Sequence, residues 1–194
     1  MADRIKDKDL LVSQVAEHYK AILELIGEDS MREGLVKTPM RAAKALVDIT
    51  SGYEQDAKAL VESAMFEYSG SNIVLVKDIE FYSLCEHHIL PFFGKVSIGY
   101  IPDGKIVGLS KLARVVNVYA KRLQVQECLT QEICTVLTET LSHKGVIVMC
   151  EAQHMCMKMR GVEKQDSTTV TIDYSRGFKD AALREDFFAM VKKG

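Results

Sequence analysis

The sequence predicts an α+β fold: an antiparallel four-stranded sheet with two helices on one face, preceded by an N-terminal helical extension. Three observations carry this. Residues 71–174 hold two pairs of β-rich segments, each pair joined by a short connection, as antiparallel neighbours are. Between the pairs lie two segments with helical periodicity, which cover one face of such a sheet. Before them, residues 1–70 read as helical and carry no evident chemistry. The expected organisation is an extension over residues 1–70 and a main domain over residues 71–194.

Each element has its local reason. Leu11, Val15, Tyr19, Ile22 and Ile26 recur at helical spacing over residues 8–26, and Gly27 ends that helix. Thr38-Pro39 reads as an N-cap followed by proline at the first helical position, opening a helix that reaches about Ser51. Residues 55–65 predict a third, short helix. From Ser71 the character changes. Residues 73–76 and 79–82 are β-rich, residues 94–101 form the next strand, and Pro102-Asp103-Gly104 is a turn signal. Ser110 is placed as the N-cap of a helix reaching about Leu123. Residues 126–142 predict another helix, with Ile133, Val136, Leu137 and Leu141 on one face. Residues 146–152 and 167–174 predict the last strands, and residues 184–192 a closing helix. A four-stranded sheet of this kind has two open edges, and open edges pair with further copies. A homo-oligomer joined through its sheets is therefore expected.

Composition narrows the function. With 194 residues, the chain is long enough for one sizeable domain and a helical extension. A net charge of −2 gives no basic field to recruit nucleic acid or an anionic membrane. No apolar run approaches the ~20 residues a spanning helix needs. The charged N-terminus, residues 1–9, lacks the apolar centre of a signal peptide, so a cytoplasmic location is expected. The cysteine count of 5 is odd and the spacing irregular. That argues against a disulfide framework and for metal binding or burial in a reducing compartment.

The densest chemistry lies in Phe81-Tyr82-Ser83-Leu84-Cys85-Glu86-His87-His88. Cys85 and His88 have the spacing of two ligands of one metal ion, and His154-Met155-Cys156 offers a second cluster. If residues 146–156 stay extended, His154 and Cys156 share a face with Val146, Val148, Cys150 and Ala152. Cys85 and His88 have opposite parity, so they share a metal only if the chain turns there, and Pro91 reads as a sign of strand ending. Zinc prefers thiolate and imidazole in a tetrahedral set; three protein ligands leave a fourth position for water, whose pKa zinc lowers to about 7. Cys85, His88 and Cys156 supply such a set. His87 and His154 remain free to move protons. A Cys85–Cys156 disulfide is the alternative under oxidising conditions.

Gly108-Leu109-Ser110-Lys111-Leu112-Ala113-Arg114 has the parts of an anion site. A helix N-terminus offers unpaired amides, and Lys111 and Arg114 lie three apart on one helical face. A solvated helix face is the alternative. Arg160 adds a fork of donors suited to phosphate. In Gln124-Val125-Gln126-Glu127, one carboxylate can accept from both N1–H and the exocyclic amine of guanine. Glu127 equally suits the first turn of a helix.

These motifs have a family likeness. Ser83-Leu84-Cys85-Glu86-His87-His88, the Gly108-to-Arg114 segment, Arg122-Leu123-Gln124-Val125-Gln126-Glu127 and His154-Met155-Cys156-Met157-x-Met159-Arg160-Gly161-Val162 together resemble GTP cyclohydrolase I. The resemblance covers nearly all of residues 70–175 in order and spacing, and extends less specifically through Thr38-Pro39-x-Arg41. It implies the tunnelling fold, with residues 71–194 as the catalytic domain. Subunit sheets would join into a barrel, two pentameric rings would form a toroidal homodecamer, and the active site would lie at a subunit interface. It implies GTP as substrate: GTP and water give 7,8-dihydroneopterin triphosphate and formate, the entry step to folate and related pteridines. By position it implies Cys85, His88 and Cys156 as zinc ligands, and His87 and His154 as acid–base groups with Ser110 near enough to move protons. It implies Glu127, with Gln126 nearby, as the guanine anchor. Ser110, Lys111, Arg114 and Arg160 match ribose-triphosphate contacts, which Arg41 joins from another subunit.

Two positions depart from the pattern. Cys128 stands where a basic residue is common, and Gln153 where Thr or Ser is common. Neither is a carried-over ligand. A non-catalytic pterin- or purine-binding member of the fold would keep Glu127 without needing both His87 and His154. The fold's nitrile reductase would need a nicotinamide cofactor and a cysteine nucleophile.

Overall fold

The computed structural model describes residues 7–192, so most of the charged N-terminal stretch read against a signal peptide lies outside the described residues. The chain divides into two compact units, Met1–Ser51 and Gly52–Gly194.

In the first unit, α1 (Lys8–Leu25) begins where the Asp7 carboxylate accepts from the amides of Asp9 and Leu10. It gives way just before Gly27, which takes φ +87, a left-handed conformation that suits glycine. Val12 and Ala16 of α1 pack against Ala43 and Val47 of α2 (Thr38–Ile49), burying one apolar stripe of each helix. The start of α2 differs from expectation. Lys37 holds the cap position without a side-chain bond, and the Thr38 hydroxyl instead donates back to Gly34 O at 3.4 Å. Pro39, with its φ preset for the first turn, marks the start. Arg41 is exposed on α2.

The second unit runs α3 (Ala57–Glu62), β1 (Met65–Glu67), β2 (Val74–Cys85), β3 (Pro91–Pro102), β4 (Lys105–Val107) and α4 (Leu109–Ala120). It continues with β5 (Leu123–Gln124), α5 (Gln126–Thr140), β6 (His143–His154), α6 (Met155–Lys158), β7 (Thr169–Arg176) and α7 (Ala181–Lys192). The unit boundary precedes α3, whose Ala57 and Val61 are buried in the core of the sheet domain.

The four long strands pair antiparallel, as predicted; their order is β2-β3-β6-β7, and β5 adds a two-residue parallel pairing beside β2. β2 reads as two segments in the sequence because it carries a bulge between Val76 and Ile79, where Asp78 takes φ +59. β1 and β4 form a separate two-stranded antiparallel sheet.

On one face, Leu112, Val115 and Val116 of α4 and Leu129, Ile133 and Leu137 of α5 pack onto Phe81, Phe92, Val96, Ile98, Val146 and Val148. Each such aliphatic or aromatic side chain contributes about 1.5–3 kcal/mol by leaving water. On the other face, Phe178 and Phe187 cover Ile101 and Ile147. Gly99 permits this: a Cβ there would lie 2.8 Å from the Phe187 ring. Among the described residues, no helix is long and apolar enough to cross a membrane.

Candidate active site

The turn after β2 resolves the parity problem. Cys85 N donates to Leu90 O at 2.8 Å, and Cys85 O accepts from the amides of His88 (3.3 Å) and Ile89 (2.8 Å). Ile89 takes φ +54, unusual for a β-branched residue. The chain thus folds back, bringing His88 Nδ1 to 3.8 Å from Cys85 Sγ. Pro91 opens β3 rather than ending β2, because its missing N–H costs nothing at the first position of a strand.

The second cluster arrives through sheet register. β3 returns from the turn and pairs with β6, setting Phe92 opposite His154. His154 shares the inward face with Cys150 and Ala152, as the period of two predicts. The strand does not continue to Cys156, however. The backbone turns into α6 directly after His154, and this helical turn, rather than strand parity, delivers Cys156. The ligand atoms of Cys85, His88 and Cys156 then all lie within 4.8 Å of one another. In a tetrahedral site, a sulfur and a nitrogen ligand stand about 3.6 Å apart, given the usual metal–ligand lengths. The cysteine–histidine separation of 3.8 Å is close to that.

The electrostatics point the same way. Burial pushes the Cys156 thiol up, and the neighbouring Cys85 sulfur pushes it further. Two thiolates here repel unless a cation lies between them. The donor set therefore fits a divalent metal. Arg160 stands beside it, with a guanidinium nitrogen 3.1 Å from His88 Nε2.

Two further histidines flank the set. His87 is exposed, with Nδ1 3.8 Å from Cys85 Sγ and Nε2 3.8 Å from a Glu86 carboxylate oxygen. Glu86 thereby acquires a partner. His154 stacks flat on Phe92, with ring centroids 4.8 Å apart and planes 2° apart, and its Nε2 lies 2.8 Å from Gln126 Oε1. Burial pushes the His154 pKa down, against the opposing pull of the Glu127 carboxylate.

β5 docks the segment leading to Gln126 and Glu127 onto this turn. Gln124 pairs with Cys85, and Glu86 N donates to Gln124 O at 3.0 Å. Glu127 is exposed, whereas Gln126 is 1% exposed with its amide engaged internally. A cleft of about 200 Å³ results, lined among others by Cys85, His87, His88, Glu127, His154 and Cys156.

A family model for GTP cyclohydrolase I matches residues 15–192. The chain belongs to the GTP cyclohydrolase I family. It is 53% identical over 185 residues to a GTP cyclohydrolase 1 of Porphyromonas gingivalis, covering 95% of this chain and 96% of that protein. It is 50% identical over 191 residues to a GTP cyclohydrolase 1 of Bacteroides fragilis, covering 96% and 98%. A GTP cyclohydrolase 1 of Campylobacter lari is 54% identical over 176 residues, covering 90% and 93%. The sheet and its two covering helices are accordingly the tunnelling fold of this family.

Ser110, Lys111 and Arg114 lie in the first turns of α4, and Ser110 does not cap it: Gly108 takes that place. The C-terminal end of α4 leads into β5 and the metal-ligand turn. Twelve helical residues span about 18 Å at the usual rise per residue, so Ser110 and Lys111 stand at the end of the helix away from β5, with Arg114 about half-way along. None of the three lines the cleft that Cys85 lines. Arg160, by contrast, stands beside His88. The sequence reading missed α6 and β5, which are too short to carry a periodicity. It also missed the Phe92–His154 stack, which depends on β3–β6 register.

Proposed function

We propose that this chain converts GTP and water to 7,8-dihydroneopterin triphosphate and formate, with Zn²⁺ held by Cys85, His88 and Cys156, as the first step of folate and tetrahydropterin biosynthesis in the cytoplasm. The observation that carries the proposal is the convergence of these three ligand atoms within 4.8 Å, beside His154 and an exposed Glu127. Zinc bound there supplies a Lewis acid that activates water near neutral pH.

The chain's own residues do the rest. Glu127 accepts from N1–H and the exocyclic amine of guanine and so orients the base. His87, exposed at the mouth of the cleft, is placed to protonate N7. His154, kept neutral by burial, takes up and returns a proton during ring opening and ribose rearrangement. Arg160 faces the triphosphate from beside His88. Ser110 and Lys111 lie in the first turn of α4 and Arg114 near its middle, and none of the three lines the cleft. We assign them, with Arg41, to neighbouring copies in a toroidal decamer of two pentamers. Remote triphosphate binding then contributes to holding the reacting base in place.

The test combines zinc analysis with formate release and fluorescence of oxidised neopterin after incubation with GTP. One zinc per chain with both products is expected. Metal-replete protein that leaves GTP intact, with Cys85→Ser losing no zinc, would overturn the assignment.

A further inference from the structure

We propose that Gln126 is a positioning residue, whose buried amide holds the His154 imidazole in the tautomer that carries its proton on Nε2 and leaves Nδ1 as the accepting nitrogen. The proposal rests on the reading of His154 as a proton-transfer group.

The argument is one of donors and acceptors. Gln126 opens α5 and is 1% exposed. Its amide nitrogen lies 3.1 Å from Cys150 O, 3.0 Å from Thr169 O and 3.2 Å from Thr171 Oγ1. Two of these are backbone carbonyls, which only accept. The NH₂ group must therefore face them; a reversed amide would set its oxygen against two other oxygens. Gln126 Oε1 is thus the atom 2.8 Å from His154 Nε2. An amide oxygen only accepts, so the hydrogen in that bond belongs to His154 Nε2.

The hydroxyls around the amide agree. Thr130 Oγ1 donates to the Gln126 main-chain oxygen at 2.9 Å. Its proton is thereby used, so Thr171 is the donor across the 2.6 Å bond between the two hydroxyls. Thr171 Oγ1 then turns its lone pairs toward the Gln126 amide nitrogen. A closed circuit from α5 through β7 and back gives the amide one orientation. Phe92 fixes the plane of the ring, lying 2° from parallel to it. In a transfer step Nδ1 accepts the proton, Nε2–H stays on Gln126 as a stronger, charge-assisted bond, and the proton later returns from Nδ1. Sequence reading placed Gln126 at the guanine, but its amide is occupied within the protein.

The test uses the zinc-loaded oligomer labelled with ¹⁵N-histidine. The chain has 5 histidines, and the His154 signals are assigned with His154→Asn. The wild-type protein is expected to show His154 as the Nε2–H tautomer. Gln126→Met fills the same space without the amide. It is expected to mix the two tautomers and lower kcat about 10–100-fold, by analogy with the partners that orient metal-bound histidines, with KM for GTP within about twofold and zinc content unchanged. Thr171→Val, a gentler change at the edge of the circuit, is expected to move both readouts in the same direction by less. An Nδ1–H tautomer in the wild type, or Gln126→Met and Thr171→Val with unchanged tautomer and kcat, overturns the proposal. So does a tenfold rise in KM with kcat preserved, which would make Gln126 a substrate contact. If His154→Asn turns over GTP at the wild-type rate, the proton-transfer reading of His154 fails, while the tautomer assignment is judged by the spectra alone.

Discussion

Cys85 and Gln124 face each other in a two-residue parallel pairing at the end of the sheet. The pairing is small, yet it joins the metal-ligand turn to the segment that carries Glu127. The next peptide strengthens it, since Glu86 N donates to Gln124 O at 3.0 Å. The proposed metal site and the proposed base anchor are therefore mechanically linked.

The metal is expected to be essential to turnover and to depend on all three ligands. Cys85→Ser, His88→Ala and Cys156→Ser should each drop the zinc content below one per chain and abolish formate release. Removing zinc from the wild type with a chelator should stop turnover, and adding zinc back should restore it. Retained turnover in a zinc-free preparation, measured by metal analysis and neopterin fluorescence together, would contradict this.

The distance along α4 makes a second prediction, about subunit complementation. Lys111→Ala removes one part of the site and Cys85→Ser another. Each alone should be inactive. If the two parts come from different copies, random one-to-one mixed oligomers hold about a quarter of sites with both parts intact, and activity should return to about that fraction. No recovery on co-refolding or co-expression would place Lys111 and Cys85 in the same chain's site.

Arg122 clamps the junction between α4 and β5. Its guanidinium lies 4.8 Å from the Tyr119 ring centroid and 5.7 Å from that of Tyr53. It also donates to Val118 O at 3.0 Å and Gly52 O at 3.2 Å. Arg122→Ala should lower stability by about 2–3 kcal/mol, from the lost cation–π contacts and orphaned carbonyls. Arg122→Lys should recover less than half of this, because an ammonium lacks the planar fork. Urea unfolding midpoints check both.

His143 makes stability depend on pH. Its ring is buried and Nε2 donates to Thr138 O at 3.1 Å. Burial holds its pKa below the ordinary 6.5, opposed by the bond to Thr138 O and by Asp103 and helped by the Arg176 guanidinium. The unfolded chain thus takes up a proton at a higher pH than the folded one. The contribution is complete above pH 6.5 and is lost as pH falls from there through the folded-state value. His143→Gln should flatten the acid side of the stability profile in thermal melts between pH 5 and 7, a range set by the ordinary histidine pKa.

Much of this protein is written in short-range pattern. The alternation along β6 put Val146, Val148, Cys150, Ala152 and His154 on one face, and the first four are buried in the core that α5 shares. The mismatched parity of Cys85 and His88 required a turn, and the turn is there. Such features are legible because they depend on neighbours within a few positions, where the backbone period settles direction.

Other features needed the packed chain. Cys156 reaches the metal set through the four-residue α6, not through strand parity. Gln126 looks like a free reader in the sequence, and only the meeting of α5, β6 and β7 shows its amide to be consumed by Cys150, Thr169 and His154. Ser110, Lys111 and Arg114 stand next to the other motifs in sequence order, but a rigid helix carries them away from Cys85. Residue identity and local period determine which groups can do chemistry and which way each element turns its side chains. Which of those groups meet is decided by register between distant strands and by helix length, and no local pattern contains either.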